Sequence, residues 1–180
     1  YFQGISYQYG SIAMNIGDGT WAGSVQHLSA GSIAEVDNTG SPTGSSFAPS
    51  DLALTLGHGR RLGKLDLGLG AKLISSKIQN SASTFAADFG LRLPIENFTL
   101  AASLSNLGPG LKFREKRDKL PATFRMGSSL DYHGNVLALD IVSPQGAQPF
   151  LAIGGERSFD IAEHSLIVGR FGLLEYLAGH

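Results

Sequence analysis

The chain has 180 residues, a net charge of −1 and no cysteine. Its length suits one domain or part of a larger one. The balanced charge argues against a nucleic-acid surface, because the basic footprint of such a surface is missing. The lack of cysteine excludes a disulfide framework and thiolate metal sites. No apolar run of about 18 residues occurs, so the sequence predicts no transmembrane helix. Glycine accounts for 24 residues and charged residues for only 16% of the chain, which is unusual for a soluble sheet.

The first four residues, Tyr1-Phe2-Gln3-Gly4, look like the end of a protease-cleavable tag and are left out of the fold prediction. Residues 5–180 show no break in composition and no helical stripe, so they are predicted to form one all-β domain. Apolar and polar residues alternate along this stretch, which is typical of strands. We predict ten strands, at 5–17, 21–36, 51–60, 64–78, 84–93, 97–107, 122–133, 135–143, 149–158 and 164–171.

The alternation is clearest from Lys64 to Leu93. One face of these two strands is predicted to carry Leu65, Leu67, Leu69, Phe85, Phe89 and Leu91. The opposite positions hold glycines and charged residues, among them Asp66, Lys72, Asp88 and Arg92. The strands of a soluble sheet also alternate between apolar and polar residues. The composition of the polar face must therefore show whether that face meets solvent or the lumen of a barrel.

The predicted links between the strands alternate in length. Tight turns are predicted near Gly17, Arg61, Pro94, His133 and Asp160. Longer links are predicted at 37–50, 79–83, 108–121 and 144–148. Short periplasmic turns that alternate with longer outer loops are typical of outer-membrane barrels. The sequence therefore predicts an antiparallel up-and-down transmembrane β-barrel, present as a fragment of about ten strands that lacks at least one strand at each end.

Charged residues fall in phase with one face along the predicted strands. The lumen-facing candidates are Asp66, Lys72, Asp88, Arg92, Arg125, Asp131, Asp140 and Glu156. Charges in a lumen can pair or be hydrated, whereas an Arg or Lys that faces lipid at mid-membrane costs about 2–4 kcal/mol. Small neighbours such as Gly68, Gly90 and Gly127 leave room for long side chains or water. A structural network of charges in the lumen is favoured over a substrate site, and a soluble β-sandwich with one wet face remains open.

Six stretches resemble the PorV/PorQ family of bacterial outer-membrane proteins, which is similar to the fatty-acid transporter FadL. The stretches are G-S-I-A-E-V-D-N-T-G, S-D-L-A-L-T-L-G-H-G-R-R-L-G, G-A-K-L-I-S-S-K-I, S-T-F-A-A-D-F-G-L, S-L-S-N-L-G-P-G-L-K-F and L-P-A-T-F-R-M-G. They cover most of Gly31 to Glu156 in the order of the family. The resemblance implies a FadL-like barrel in the bacterial outer membrane and a role in type IX secretion, as shuttle or receptor for cargo. Compared with the family, this sequence is expected to lack the N-terminal segment that enters the barrel as a hatch, and the last strands.

A cluster of charged residues occupies the predicted link 108–121. Its cations, which suit the phosphate and carboxylate groups of lipopolysaccharide or of a partner protein, are Lys112, Arg114, Lys116, Arg117 and Lys119. The simpler interpretation is a solvated loop. No histidine pair has metal-ligand spacing, and no G-x-S-x-G elbow occurs, so no metal, cofactor or enzyme activity is predicted.

Three functions stay open at this point. The first is a barrel that serves protein secretion, with secreted cargo or secretion components as partners. The second is a FadL-like transporter of hydrophobic small molecules, which the charged lumen positions disfavour mildly. The third is a soluble β-sandwich binding module, in which Leu65, Leu67, Phe89 and Leu139 would lie in a dry core.

Overall fold

A computed structural model describes residues 4–78, 80–113, 116–162 and 165–177. These residues form strands joined by turns and short links, and no helix occurs among them. The predicted all-β antiparallel class is confirmed. The strands are β1 (Ser6–Ile16), β2 (Gly19–Ser29), β3 (Ile33–Val36), β4 (Pro42–Phe47), β5 (Ser50–Leu62), β6 (Leu65–Lys77), β7 (Ser81–Ile95), β8 (Phe98–Leu107), β9 (Leu111–Phe113), β10 (Lys116–Asp118), β11 (Thr123–Tyr132), β12 (Asn135–Pro144), β13 (Phe150–Ala162) and β14 (Ser165–Tyr176).

Ten of these strands form one sheet in the order β1-β2-β5-β6-β7-β8-β11-β12-β13-β14. Strands that follow each other in the chain are therefore neighbours in the sheet, apart from two short hairpins. These hairpins, β3–β4 and β9–β10, each form a two-stranded sheet of their own. Over the described residues the large sheet is open, with β1 and β14 at the two ends of its order.

Internal contacts divide the chain into two compact units. The first unit consists of Tyr1–Gly59, Leu69–Ala87 and Asn106–Leu120. The second consists of Arg60–Gly68, Asp88–Ser105 and Pro121–His180. Strands β5 to β8 have residues in both units, so the division follows contact density and not the ends of the strands.

The first unit has a small core, which includes two alanines and a leucine. Ala82 and Ala86 of β7 are 6% and 3% exposed, and Leu120 is 7% exposed. Gly108 lies so close to the backbone of Phe85 and Ala86 and to the side chain of Leu120 that an added Cβ would collide with them. This core therefore depends on close approach of the backbone at Gly108 as well as on its few buried side chains.

The second unit shows two sheet faces of opposite character. The register places Met126 of β11 opposite Ala102 of β8 and Ile141 of β12, and it places Gly127 opposite Asp140. Because successive side chains point to opposite faces of a sheet, Met126 and Ile141 lie on one face and Asp140 lies on the other. We call these the apolar face and the polar face.

Large side chains of the apolar face are open to solvent. Phe89, Leu91 and Leu139 are 49%, 45% and 43% exposed. Among the described residues no large side chain is fully buried. Proteins that fold in water bury most of their Leu, Ile and Phe side chains, so this exposed apolar face departs from the pattern of a soluble domain.

The predicted strand 21–36 is wrong, because the structure divides it into β2 and β3. Gly31, with φ of 72°, interrupts the extended path between them. β3 then leaves the large sheet and pairs with β4, with Ile33 opposite Phe47. The predicted links 37–50 and 108–121 likewise contain short strands, β4 in the first and the β9–β10 hairpin in the second. The polar and glycine-rich composition of these links is the reason why the sequence does not predict β4, β9 and β10.

Two-residue turns join the strands at 17–18, 63–64, 96–97 and 133–134. The predicted turns at Arg61 and Pro94 are displaced, since these residues still belong to β5 and β7, and Asp160 lies within β13. His133 and Gly134 both have positive φ, as a type I′ hairpin turn requires. The links at the opposite ends of the strands, 30–49, 78–80, 108–122 and 145–149, are longer. Short and long links therefore alternate in the structure as the sequence predicted.

Candidate functional site

A groove of about 360 Å³ lies on the polar face of the second unit. Strands β6, β7, β8, β11 and β12, which are consecutive in the sheet, contribute to its lining. Four residues with little or no side chain make room for it: Gly68, Gly90, Ala101 and Gly127. Its charged lining residues are Asp66, Arg92, Arg125 and Asp140. The structure thus brings four of the eight lumen-facing candidates into one groove.

Asp66 is shared by two arginines. The Nε and Nη2 atoms of Arg61 donate to its two carboxylate oxygens at 2.6 Å and 3.0 Å. Arg92 donates from Nη1 to Oδ2 of Asp66 at 3.1 Å. One negative charge therefore serves two guanidinium groups, and this cluster carries a net positive charge.

Arg125 and Asp140 form a looser pair. The Nη1 atom of Arg125 lies 4.0 Å from Oδ2 of Asp140, which is beyond hydrogen-bond distance. The Asp140 carboxylate lies over Gly127, where an added Cβ would collide with it. Both side chains remain partly open to solvent, at 55% exposure for Arg125 and 35% for Asp140.

Two of the remaining candidates lie on β11 and β13, outside the groove lining. Glu156 accepts a hydrogen bond at 2.5 Å from Nε of Arg170 on β14, which lies directly opposite it in the register. Asp131 is exposed near the end of β11, where its backbone amide donates to the carbonyl of Asn97 at 2.8 Å. We assign the Glu156–Arg170 pair to hydrated pairing along the polar face, which contributes little to stability at such exposure.

The last two lumen-facing candidates are half-buried and also lie outside the groove lining. Lys72 belongs to the first unit, where its Nζ donates to the side-chain oxygen of Asn106 at 2.7 Å. Asp88 on β7 is half-buried in the second unit. The two do not belong to the same compact unit.

Four of the five candidate cations of the predicted loop lie on β9, on β10 or just after β10. Lys112 and Arg117 are exposed and directly opposite each other, and Lys119 is exposed beyond β10. Lys116 opens β10, and Arg114 lies outside the described residues. Like charges placed opposite each other destabilise a hairpin slightly, so this pair concentrates positive charge at some local cost.

The β3–β4 hairpin is closed by an aspartate-centred turn. The Oδ1 atom of Asp37 accepts hydrogen bonds from the hydroxyl and amide of Thr39 at 2.6 Å and 2.8 Å, and from the amide of Ser41 at 2.9 Å. The hydroxyl of Thr39 contributes most to lowering the pKa of this carboxyl, followed by the amide of Ser41. These bonds favour the ionised form at neutral pH.

No group of three or more potential metal-binding side chains occurs among the described residues. His58 packs instead against Trp21, with 4.5 Å between the ring centroids. Its Nδ1 atom is buried without a hydrogen-bond partner. We assign this pair to packing between β2 and β5.

Comparison of the chain with known protein families finds no match, and comparison with curated proteins finds no relative. The fold therefore defines the class of the protein: an all-β protein built on a ten-stranded antiparallel sheet. No helix in the described part of the chain is long and apolar enough to cross a membrane.

Sequence reasoning missed Arg61 and Arg170, which pair with two of the predicted candidates. The sequence predicts a turn at Arg61, whereas in the structure Arg61 precedes the 63–64 turn and donates to Asp66 across it. Arg170 lies in phase with Glu156 only once the register of β13 and β14 is known. The signal that could have found Arg61 is the two-residue hairpin spacing between the strands.

Proposed function

We propose that the chain is an outer-membrane β-barrel protein of the PorV/PorQ type, which serves protein secretion or transport across the bacterial outer membrane. The observation that carries this proposal is the exposed apolar face. On it, Leu139, Ile153 and Leu173 lie side by side on three neighbouring strands and are 43%, 52% and 71% exposed. Lipid would cover this face, which water solvates poorly.

The lengths of the strands support the same proposal. β8, β11 and β12 have 10 residues each and β1 and β2 have 11. A tilted transmembrane β-strand needs about 9–11 residues. The alternation of two-residue turns with longer links adds the sidedness that outer-membrane barrels have.

A soluble β-sandwich is the weaker alternative. It would place Leu67, Phe89 and Leu139 in a dry core between two sheets. Leu67 is 37% exposed, Phe89 49% and Leu139 43%. A sandwich would therefore need a second layer over a face that the described residues of this chain leave open.

Tryptophan quenching from the lipid side tests the membrane proposal. The single tryptophan, Trp21, is first replaced by Phe, and a new tryptophan is then placed at Leu139 or at the adjacent Ala138. Lipids with brominated acyl chains should quench the fluorescence of tryptophan at 139, and a water-soluble quencher should quench that of tryptophan at 138. The reason is that the two side chains lie on opposite faces of the sheet. Equal lipid quenching at both positions, or none at either, contradicts the proposal.

Secretion and transport are separated by two further assays. If the protein serves secretion, a strain without the gene should lose secreted proteins from its medium and accumulate them in the periplasm. If it transports hydrophobic molecules, vesicles that contain the protein should take up a labelled fatty acid faster than empty vesicles. The charged groove favours the first function, because an apolar ligand gains nothing from four charged side chains.

The β9–β10 hairpin is proposed as a contact with lipopolysaccharide or with an acidic segment of a partner. The cations Lys112, Arg117 and Lys119 are exposed, and clustered cations attract phosphate and carboxylate groups. Replacing all three with glutamine should weaken binding to lipopolysaccharide micelles. A triple variant with unchanged binding would show that the hairpin is only a solvated loop.

A further inference from the structure

We propose that the groove on the polar face binds a small oxyanion, a carboxylate or phosphate group, between Arg92 and Arg125. This inference goes beyond the proposed membrane function, because one face of the sheet forms the groove whether lipid or water covers the other face. It rests on the balance of charge, on the donors that the arginines retain, and on the space between them.

The balance of charge in and beside the groove is positive. Three guanidinium groups, from Arg61, Arg92 and Arg125, face two carboxylates, from Asp66 and Asp140. Arg61 already binds Asp66 through two hydrogen bonds. Arg92 therefore shares a carboxylate that is neutralised from the other side, and its positive charge is not balanced locally.

Both arginines of the groove have donors to offer. A guanidinium group carries five N–H donors in a planar fork that matches carboxylate and phosphate groups. Arg92 donates one hydrogen bond to Asp66 at 3.1 Å, and Arg125 stands 4.0 Å from Asp140. Each side chain is 55% exposed, so a solute can reach both.

The space fits a small solute. The groove has a volume of about 360 Å³, near the lower end of the range of about 300–1,000 Å³ that ligand pockets span. Side chains at Gly68, Gly90 and Gly127 would fill it, since these three glycines all line it. Ser103, which also lines the groove, lies opposite Arg125 in the register and adds a hydroxyl donor.

The test is titration of the full chain in detergent micelles with sodium phosphate and, separately, with sodium succinate, at low ionic strength. Saturable binding of at least one of them is expected, and the stronger of the two identifies the group that the groove prefers. Arg125→Gln should weaken binding about tenfold, which corresponds to the loss of one charge-assisted hydrogen bond. Asp66→Asn should tighten binding about threefold, because it removes a competing negative charge near the site.

Arg170→Gln is the matched control, because Arg170 pairs with Glu156 on the same face but does not line the groove. The Arg170→Gln variant should bind phosphate or succinate with the same affinity as the unmodified chain. Absence of saturable binding, equal losses from Arg125→Gln and Arg170→Gln, or weaker binding in Asp66→Asn would overturn the inference. Asp66→Asn reports by a gain, so a variant that merely folds poorly cannot imitate the expected result. If the anion titration fails while lipid quenching is as expected, the membrane proposal still holds. If lipid quenching fails while the anion binds, the inference about the groove still holds.

Discussion

Phe89→Arg tests the environment of the apolar face most directly. Phe89 is the ninth residue of β7, which runs from Ser81 to Ile95, and its side chain is 49% exposed. If lipid covers this face, an arginine near the middle of the strand should cost about 2–4 kcal/mol. That cost lowers the equilibrium constant for folding into a bilayer roughly 30- to 900-fold. If water covers the face, a surface substitution of this kind should change stability by only about 0.5 kcal/mol.

Gly90→Ser is the neighbouring control on the opposite face. An added Cβ at Gly90 meets no atom within 4 Å, so the serine should change stability by about 0.5 kcal/mol or less. The assay is reversible urea unfolding from lipid vesicles, followed by the fluorescence of Trp21 and by the shift between folded and unfolded bands on unheated gels. Equal unfolding free energies for Phe89→Arg and Gly90→Ser would refute the assignment of Phe89 to lipid.

Three further predictions concern the small core and the β3–β4 hairpin. Gly108→Ala should cost about 1–3 kcal/mol, because its Cβ would overlap the backbone of Phe85; an unchanged urea midpoint would show that the backbone yields there. Leu120→Ala should cost about 2 kcal/mol or more, since Leu120 is 7% exposed, and the same unfolding assay measures it. The pKa of Asp37 is lowered chiefly by the hydroxyl of Thr39, so its contribution to the hairpin is fully present above the unfolded value of about 3.9 and is lost as the pH falls through the lower folded value. The amide resonance of Thr39 should follow this titration by NMR, and Asp37→Asn should remove it; a midpoint at or above about 3.9 would contradict the hydrogen-bonded turn.

Much of the fold was predictable because alternation is a local property. Successive side chains of a strand point to opposite faces, so Leu67 and Asp66 can be assigned to opposite faces without knowledge of any other strand. A two-residue turn can also be predicted from the local sequence, as at His133 and Gly134. The short strand β4 was missed because its composition is that of a link, and β3 was merged with β2 because its pairing with β4 cannot be read from the local sequence.

The candidate site was predictable as a face and not as a groove. The sequence by itself determined that Asp66, Arg92 and Arg125 lie in phase with glycines and that Asp140 lies in phase with Ala138, because phase depends only on position along each strand. Only the tertiary structure decided that Arg61 and Arg92 share Asp66 and that Arg125 stands apart from Asp140, because these distances depend on the register of separate strands. A shift of one residue in register would turn a whole strand to the other face. The pairing of charged side chains within the groove is therefore a property of the assembled sheet, whereas the division into an apolar and a polar face follows from the sequence alone.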